Sequence, residues 1–312
     1  MIFAVVAGVG LRALTERYDR SVARQSLLDP AARRANGTAS GPLNFLLVGS
    51  DQRPNASDSD ARSDTIVIVH VPDGLRQAYL ISVPRDLYVA IPPTATYPGG
   101  DDKINSAFEH GGGGQGGTRL LSATLSQLTG IRFDGAALID FSGFEKVIDL
   151  VDGVRMCVDE PVRSIHTGTV FPVGCQQMDG ARALDYARQR YGLPGGDFDR
   201  QRHQQQLLRA IMDRVAGADL LTSPLKFDRL IRAIGSAFTV DSNGAPIEDL
   251  VFGLRHLTAG SLVGVQLPSH AKDIDGISYV LLDPTADVLF RAVREAGMAH
   301  WVRDNPSWIN RL

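Results

Sequence analysis

The sequence predicts an α/β fold: a central mixed β-sheet with helices on both faces, a three-layer αβα sandwich. Two observations lead there. Three apolar runs of strand length, NFLLVG (44–49), TIVIVHV (65–71) and QAYLISV (77–83), are each bounded by turn residues, and none shows the helical period. Further along, MDGARALDYARQR (178–190) and RQRHQQQLLRAIMDRV (200–215) read as helices, the second with an apolar stripe at Leu207, Leu208, Ile211 and Val215.

The turn PDG joins the second and third strands, which makes them antiparallel neighbours. Consecutive strands usually lie side by side, so the simplest arrangement of all three is a meander. It brings the end of the first strand (Asp51), the start of the second (Arg62, Asp64) and the end of the third (Arg85, Asp86) to one sheet edge. Carboxylates beside guanidiniums read as a divalent cation next to an anion. Hard oxygen ligands such as Asp51 and Asp64 suit Mg2+, with Mn2+ as the alternative, the shell being completed by water and phosphate. The competing reading is that each aspartate only bonds its own turn.

A second concentration of charge surrounds the Gly-Gly turn at 195–196, where Arg188, Arg190, Arg200 and Arg202 fall within 15 residues of a chain whose net charge is −3. Asp197 or Asp199 is the expected N-cap of the following helix. At about 100° per residue, Arg200 and Gln204 extend the apolar stripe into the first turn and line a cleft, while Arg202 and Arg209 lean elsewhere. Free N–H groups and the helix dipole favour an anion there. In the preceding helix Ala181, Leu184, Ala187 and Tyr191 are expected to face the core. Arg188 and Arg190, two apart, do not share a helical face, and an extended backbone would point both the same way. Several converging guanidinium forks fit a pyrophosphate better than a single carboxylate.

Composition narrows the function further. The 312 residues are 44% hydrophobic and 21% charged, a globular balance, and the small net charge argues against a nucleic-acid binder. There is no G-x-x-x-x-G-K-[ST], G-x-S-x-G or H-E-x-x-H motif. In DDKINSAFEHGGGG (101–114), Lys103 and Asn105 stand before an apolar helical stretch, and the glycine run reads as a mobile loop. His203 reads equally well as a solvated helix residue. Residues 1–11, MIFAVVAGVGL, are apolar but short of the roughly 20 residues that span a bilayer. They read as a buried terminal element or as a membrane anchor cut short, and the polar stalk-like stretch that follows favours the anchor. Cys157 and Cys175 form no metal-type pairing; they are either two buried thiols or a disulfide closing a loop worth about 3 kcal/mol, and the disulfide agrees with the anchor.

In this order and spacing, GSD, RSDTIVIV, ISVPRD, KINSAF, YARQR and GGDFDRQRHQQQ resemble the motifs of the LytR-CpsA-Psr family across residues 43–215, and the segment to 295 is similar to the closing elements of the same domain. The resemblance implies a membrane-anchored enzyme on the extracytoplasmic face. Such an enzyme moves a glycopolymer from a polyprenyl-pyrophosphate carrier to peptidoglycan, through a phosphodiester at the 6-hydroxyl of N-acetylmuramic acid. It implies that Asp51 and Asp64 hold Mg2+, and that Arg62, Arg85, Arg188, Arg190 and Arg200 contact the pyrophosphate with Lys103, Asn105 and Gln204 in support. Asp197 would organise the arginines or assist proton transfer. The cysteine pair and Ala/Arg-rich composition look like actinobacterial members, for which arabinogalactan or a related polymer is the expected cargo. On this reading residues 1–40 are the truncated anchor and stalk, and 41–312 form one catalytic domain. Asp86 is the expected base for the attacking hydroxyl. An apolar tunnel for the lipid would be walled by stretches such as 118–130 and 141–151, although both also suit an ordinary core. A polyprenyl-pyrophosphate hydrolase, or a non-catalytic sensor that grips the same lipid, would use the same residues.

Overall fold

The computed structural model describes residues 23–35, 41–50, 63–217, 238–310 and 312. Its centre is an eight-stranded mixed sheet: β1 (Ala23–Arg24), β2 (Leu43–Ser50), β3 (Ser63–Val71), β4 (Ala78–Ser82), β5 (Gly135–Asp140), β6 (Phe238–Asp241), β7 (Leu262–Gln266) and β8 (Ile309–Asn310), in the order β1-β6-β5-β2-β3-β4-β7-β8. The expected meander is present, with Val48 opposite Ile66 in β2–β3 and Ile68 opposite Ile81 in β3–β4. Strand β5 runs parallel to β2, and β7 runs parallel to β4. The carboxyl ends of β2, β4, β5 and β7 and the start of β3 therefore share one edge. All five residues of β4 are buried, as befits a strand covered on both faces. The β2–β3 register shifts between Gly49 and Ser50. A Cβ on Gly49 would stand 2.9 Å from the Thr65 Cβ, so the two backbones approach this closely only because position 49 has no side chain.

Helices complete the three layers. On one face α1 (Ile104–His110), α2 (Gly114–Thr129), α7 (Ala286–Arg294) and α8 (Met298–Asp304) bury Phe108, Leu121, Leu125, Leu289 and Trp301 against Ile66, Ile68 and Ile81. On the other, α3 (Phe141–Leu150), α4 (Gly180–Ala187) and α5 (Asp197–Gly217) pack Ile148, Tyr186 and Leu207 into a second core with the strand pair 154–158/174–178. A smaller cluster joins Leu43, Val71 and Ala78 to Leu250 and Leu254 of α6 (Ile247–Leu254). Gln205, fully buried on α5, staples that helix to the sheet. Its Nε2 donates toward the Leu80 carbonyl (2.9 Å), Ser82 Oγ (2.8 Å) and the Val265 carbonyl (3.0 Å), and its Oε1 accepts from Asn310 Nδ2 (2.8 Å).

Several expectations change. The stretch 118–130 belongs to the opposite face from 141–151: Leu121 and Leu125 fill the larger core, so only 141–151 borders the apolar cavity described below. The glycine run forms the joint between α1 and α2, where a Cβ on Gly111 would sit 2.6 Å from the Gly116 carbonyl oxygen. On α4, Leu184 and Ala187 are buried as expected, but Ala181 is exposed and Tyr186 takes the core position; Tyr191, beyond the helix end, is exposed. Residues 23–35, expected in the stalk, are built into the sheet layer. Leu27 and Leu28 are fully buried, the Leu28 N–H donates to Asp241 Oδ2 (3.0 Å), and Arg33 pairs with the same carboxylate at 2.7 Å. The apolar stretch 1–11 lies outside the described residues. No helix among those described is long and apolar enough to cross a membrane.

Cys157 and Cys175 are direct cross-strand partners and are joined as a disulfide, both on the exposed side of their strands. The alternative of two buried thiols is thereby replaced. The bond closes the excursion 158–174, which carries the exposed apolar residues Ile165, Val170 and Val173. The double variant Cys157→Ser/Cys175→Ser is expected to lose about 3 kcal/mol of unfolding free energy, measured by urea titration of the oxidised protein and the variant side by side.

Candidate functional site

The shared edge carries a lattice of alternating charges. Arg85, just beyond β4, pairs through Nη1 with Asp64 Oδ1 on β3, and its Nε stands 3.7 Å from both Asp86 Oδ2 and Asp197 Oδ1. Lys103 Nζ lies 3.0 Å from Asp86 Oδ1. From the first turn of α5, Arg200 Nη2 contacts Asp197 Oδ1 at 2.7 Å, and its Nη1 reaches to 3.6 Å from Asp64 Oδ1. Three cations and three carboxylates thus interlock across β3, the 84–87 turn and two helix starts. Backbone bonds set the turn: the Asn105 N–H donates to the Arg85 carbonyl (3.1 Å), and the Val280 N–H to the Asp86 carbonyl (2.9 Å).

Burial strains this lattice electrostatically. Arg200 is only 4% exposed. Burial pulls its pKa below the ordinary arginine value, opposed by Asp197 and Asp64 and aided by the Arg85 and Arg190 cations. At Arg85 burial acts in the same sense, but Asp64, Asp197 and Asp86 outweigh it and the pKa rises. Arg85 Nε and Arg200 Nε are buried donors with no hydrogen-bond partner among the described residues. Such orphaned charged donors are costly, and an oxyanion would satisfy them.

Two hollows flank the lattice. A polar cleft of about 830 Å³ is bordered by Arg85, Asp86, Lys103, Asn105, Arg190 and Asp197, with Tyr191 and Ser278 on its walls. An apolar cavity of about 150 Å³ lies between the sheet (Leu47, Val67, Ile139) and the helices (Phe144, Leu207, Leu208), with Arg188 and Gln204 among its lining. Helix α5 contributes to both, Asp197 to the cleft and Gln204 to the cavity, as the stripe argument requires of a helix that runs from polar to apolar surroundings.

Arg188 and Arg190 part company. Arg188 keeps helical angles (φ −96°, ψ −9°), so no extended segment aligns the pair. It lies over the Phe141 ring at 4.2 Å beside the apolar cavity, whereas Arg190 lies over Tyr191 at 4.7 Å in the polar cleft and donates to its hydroxyl (2.8 Å). Helix α5 begins at Asp197, so neither Asp197 nor Asp199 precedes it as an N-cap; Asp199 instead accepts from the Gly195 N–H (2.7 Å). Asp51 and Arg62 lie outside the described residues. Asp64 is therefore the described member of the expected metal pair, and no group of three or more metal-type ligands occurs among the described residues. Sequence reasoning missed Tyr191, Ser278 and Phe141 as site residues. Only the position of Tyr191, next to Arg190, carried any signal.

His203 is buried, not solvated: its ring stacks on Tyr186 and its Nε2 shares a 3.0 Å hydrogen bond with the Tyr186 hydroxyl. Burial and the Arg202 cation lower its pKa to about 4. His70, in the sheet, is lowered to about 4 by burial and Arg34. Asn44 Nδ2 donates to the Arg132 carbonyl, so Asn44 Oδ1 accepts from His70 Nδ1 (2.8 Å), leaving His70 Nε2 with no partner among the described residues.

The LytR_cpsA_psr family model matches residues 12–294. The chain is 36% identical over 283 residues to the probable cell wall biosynthesis protein LcpB of Corynebacterium glutamicum, an alignment covering 85% of this chain and 63% of that protein, so the chain spans less than two thirds of LcpB. It is 26% identical over 287 residues to the polyisoprenyl-teichoic acid–peptidoglycan teichoic acid transferase TagU of Enterococcus faecalis, covering 91% of this chain and 89% of that one. The LytR-Csp2A-Psr enzyme from Actinomyces oris shares the fold, with a TM-score of 0.65 at 21% identity over 87% of this chain and 96% of that one.

The two buried histidines give a pH test. Both are neutral in the folded protein and regain an ordinary pKa of about 6.5 on unfolding, so the unfolded state binds the extra protons. Their contribution is intact above pH 6.5 and is lost as pH falls toward 4, with a slope of up to about 1.4 kcal/mol per pH unit for each histidine. Urea unfolding between pH 6.5 and 5 is expected to show this decline, and His203→Gln to halve its slope.

Proposed function

Because the chain belongs to the LytR_cpsA_psr family, we propose that it transfers a glycopolymer from a polyprenyl-pyrophosphate carrier to peptidoglycan, and that the charged edge is where the pyrophosphate is held. The observation that carries this reading is the pair of buried Nε donors on Arg85 and Arg200, which have no hydrogen-bond partner among the described residues, in a charged edge flanked by a polar cleft and an apolar cavity. A diphosphate has the oxygens those donors lack, and its prenyl tail has the apolar surface the cavity lacks. The cavity is of the size that admits a single benzene ring, which suits the first isoprene unit, with the rest of the chain following α5. The cargo in this reading is arabinogalactan or a related cell-wall polysaccharide; the similarity to LcpB, a probable cell wall biosynthesis protein, supports the cell-wall part of it. The acceptor is the muramic acid 6-hydroxyl, and the reaction takes place at the extracytoplasmic face of the membrane.

In the reaction, the acceptor oxygen attacks the phosphorus next to the glycan, a new P–O bond forms, and the bridging P–O bond breaks with its electron pair leaving on polyprenyl phosphate. Arg85, Arg200, Arg190 and Lys103 bind the phosphate oxygens and are positioned before the charge develops, which is the main service that phosphoryl transfer asks of a protein. Asp197 and Asp86 hold those cations in place. The donor chemistry also fits a divalent cation. Among the described residues the ion pairs of Asp64 use Oδ1, and a carboxylate at this edge is the hard oxygen donor Mg2+ or Mn2+ requires, with Asp51 as its proposed companion. Bound there, the cation would neutralise phosphate charge.

The test is turnover of a polyprenyl-pyrophosphate-linked glycan with and without Mg2+ and a peptidoglycan acceptor. Release of polyprenyl phosphate is expected to need both; release with metal alone would replace the transferase by a hydrolase, and lipid binding without release by a carrier. Asp64→Asn is expected to keep lipid binding and lose about 10²-fold or more in turnover; unchanged turnover would remove the metal assignment. Leu208→Trp, which fills the apolar cavity, is expected to weaken binding of the long-chain lipid at least tenfold while a soluble pyrophosphate binds as before, read by isothermal titration.

A further inference from the structure

Under the transferase reading the lipid sets the direction of attack. With the prenyl tail in the apolar cavity, the bridging oxygen that leaves on polyprenyl phosphate points that way. Attacking and leaving oxygens stand roughly in line across the phosphorus, so the acceptor hydroxyl enters from the polar cleft. At about 830 Å³ the cleft is of a size that takes a ligand of several rings, more than a diphosphate fills.

The lining of the cleft has a neutral part as well as a charged one. One piece of it is the hairpin of Ser269–Ile274 and Ile277–Leu282, where Ala271 stands opposite Val280 and Ser278 lies two residues along, so the three share a face. The hairpin is fixed beside the charges. The Val280 N–H donates to the Asp86 carbonyl (2.9 Å), the Tyr279 ring meets Tyr88 edge-on at 4.9 Å, and Lys103 Nζ lies 5.5 Å from the centre of the Tyr279 ring.

The other piece is Tyr191, in the turn between α4 and α5, with 53% of its surface exposed. Apolar side chains scattered singly over an open surface need no explanation. Tyr191 differs in two respects: it lines the cleft, and Arg190 orders it through two contacts. The guanidinium lies over the ring at 4.7 Å, and Nη2 donates to the hydroxyl (2.8 Å). A ring held on one face by a cation keeps its other face for a ligand, and part of its side-chain freedom is lost before the ligand arrives. A pyranose suits such a wall. One side of the sugar presents C–H groups to the negative face of an aromatic ring, and its edge carries hydroxyls that a group such as Ser278 Oγ can bond.

We infer that Tyr191 is the platform on which the acceptor sugar stacks, holding the pyranose that bears the attacking hydroxyl beside the phosphate gripped by Arg190. Two neighbouring residues of one turn then set the acceptor against the phosphorus it attacks. The inference rests on the transferase reading.

The experiment compares the full chain with Tyr191→Ala and Tyr191→Phe, using a polyprenyl-pyrophosphate-linked N-acetylglucosamine donor, Mg2+ and a concentration series of uncross-linked peptidoglycan. Tyr191→Ala is expected to raise the acceptor KM about tenfold and to leave the donor KM within twofold. Tyr191→Phe, which keeps the ring and loses the hydroxyl, is expected to stay within about threefold of the parent in acceptor KM. A Tyr191→Ala enzyme with an unchanged acceptor KM would overturn the inference and leave the transferase standing; a raised donor KM in that enzyme would assign Tyr191 to ordering Arg190 or to the donor sugar instead. A Tyr191→Phe enzyme as impaired toward the acceptor as Tyr191→Ala would also overturn it, because the hydroxyl and not the ring face would then be what binds. A parent chain inert with this donor and acceptor would overturn both readings.

Discussion

A guanidinium cannot shed its proton inside a protein, and Arg200 is almost wholly buried. That constraint organises the edge. Removing such a charge from water costs several kcal/mol unless partners surround it, so a carboxylate must stand one turn earlier on α5 and another on the neighbouring strand. Asp197 and Asp64 meet that need, and Asp64 in turn binds Arg85, whose turn is held by the start of α1 and by the hairpin 269–282. A displacement of any one element would leave a buried charge short of its counter-ion. Gln205 adds a neutral counterpart deeper in the same helix, fixing its rotation against β4 and β7.

The topology explains why the charges gather here. Four strands, β2, β4, β5 and β7, end at this edge, so the connections that follow β4, β5 and β7 all open onto the same place. Open α/β sheets bind ligands beyond the carboxyl ends of their strands for this reason. The antiparallel pairing of β3 and β4 is useful too: the start of β3 delivers Asp64 beside the 84–87 turn, which delivers Arg85 and Asp86.

Much of this was legible in the sequence, and the parts that were not share a cause. Continuous β-branched runs announce buried strands, so the meander and its edge followed from three short segments and one tight turn. Helical spacing put Gln204 at the apolar cavity and Arg200 on the buried side because α5 is long and regular. The same reasoning failed at Arg188 and Arg190, where the chain leaves a helix and backbone angles, not spacing, decide direction. It failed for Ala181 because α4 is only eight residues long, too short for a stripe to fix its rotation. Residues 23–35 look like a linker in composition, and only pairing with a strand more than 200 residues away makes Leu27 and Leu28 core.

Helix α5 places charge and grease on one rigid rod. From Arg200 to Leu208 the axis rises about 12 Å at 1.5 Å per residue, and neither end can slide while Gln205 pins the middle. Under the proposed function the helix would act as a gauge for amphiphiles, accepting a molecule whose anionic head meets its tail within that span. A sugar nucleotide carries the same diphosphate but nothing to set against Leu207 and Leu208, and a fatty acid carries the tail with too little charge for Arg85 and Arg200 together. Discrimination of this kind needs no recognition of the sugar at all, so one scaffold can serve different polymers provided that each arrives on the same handle.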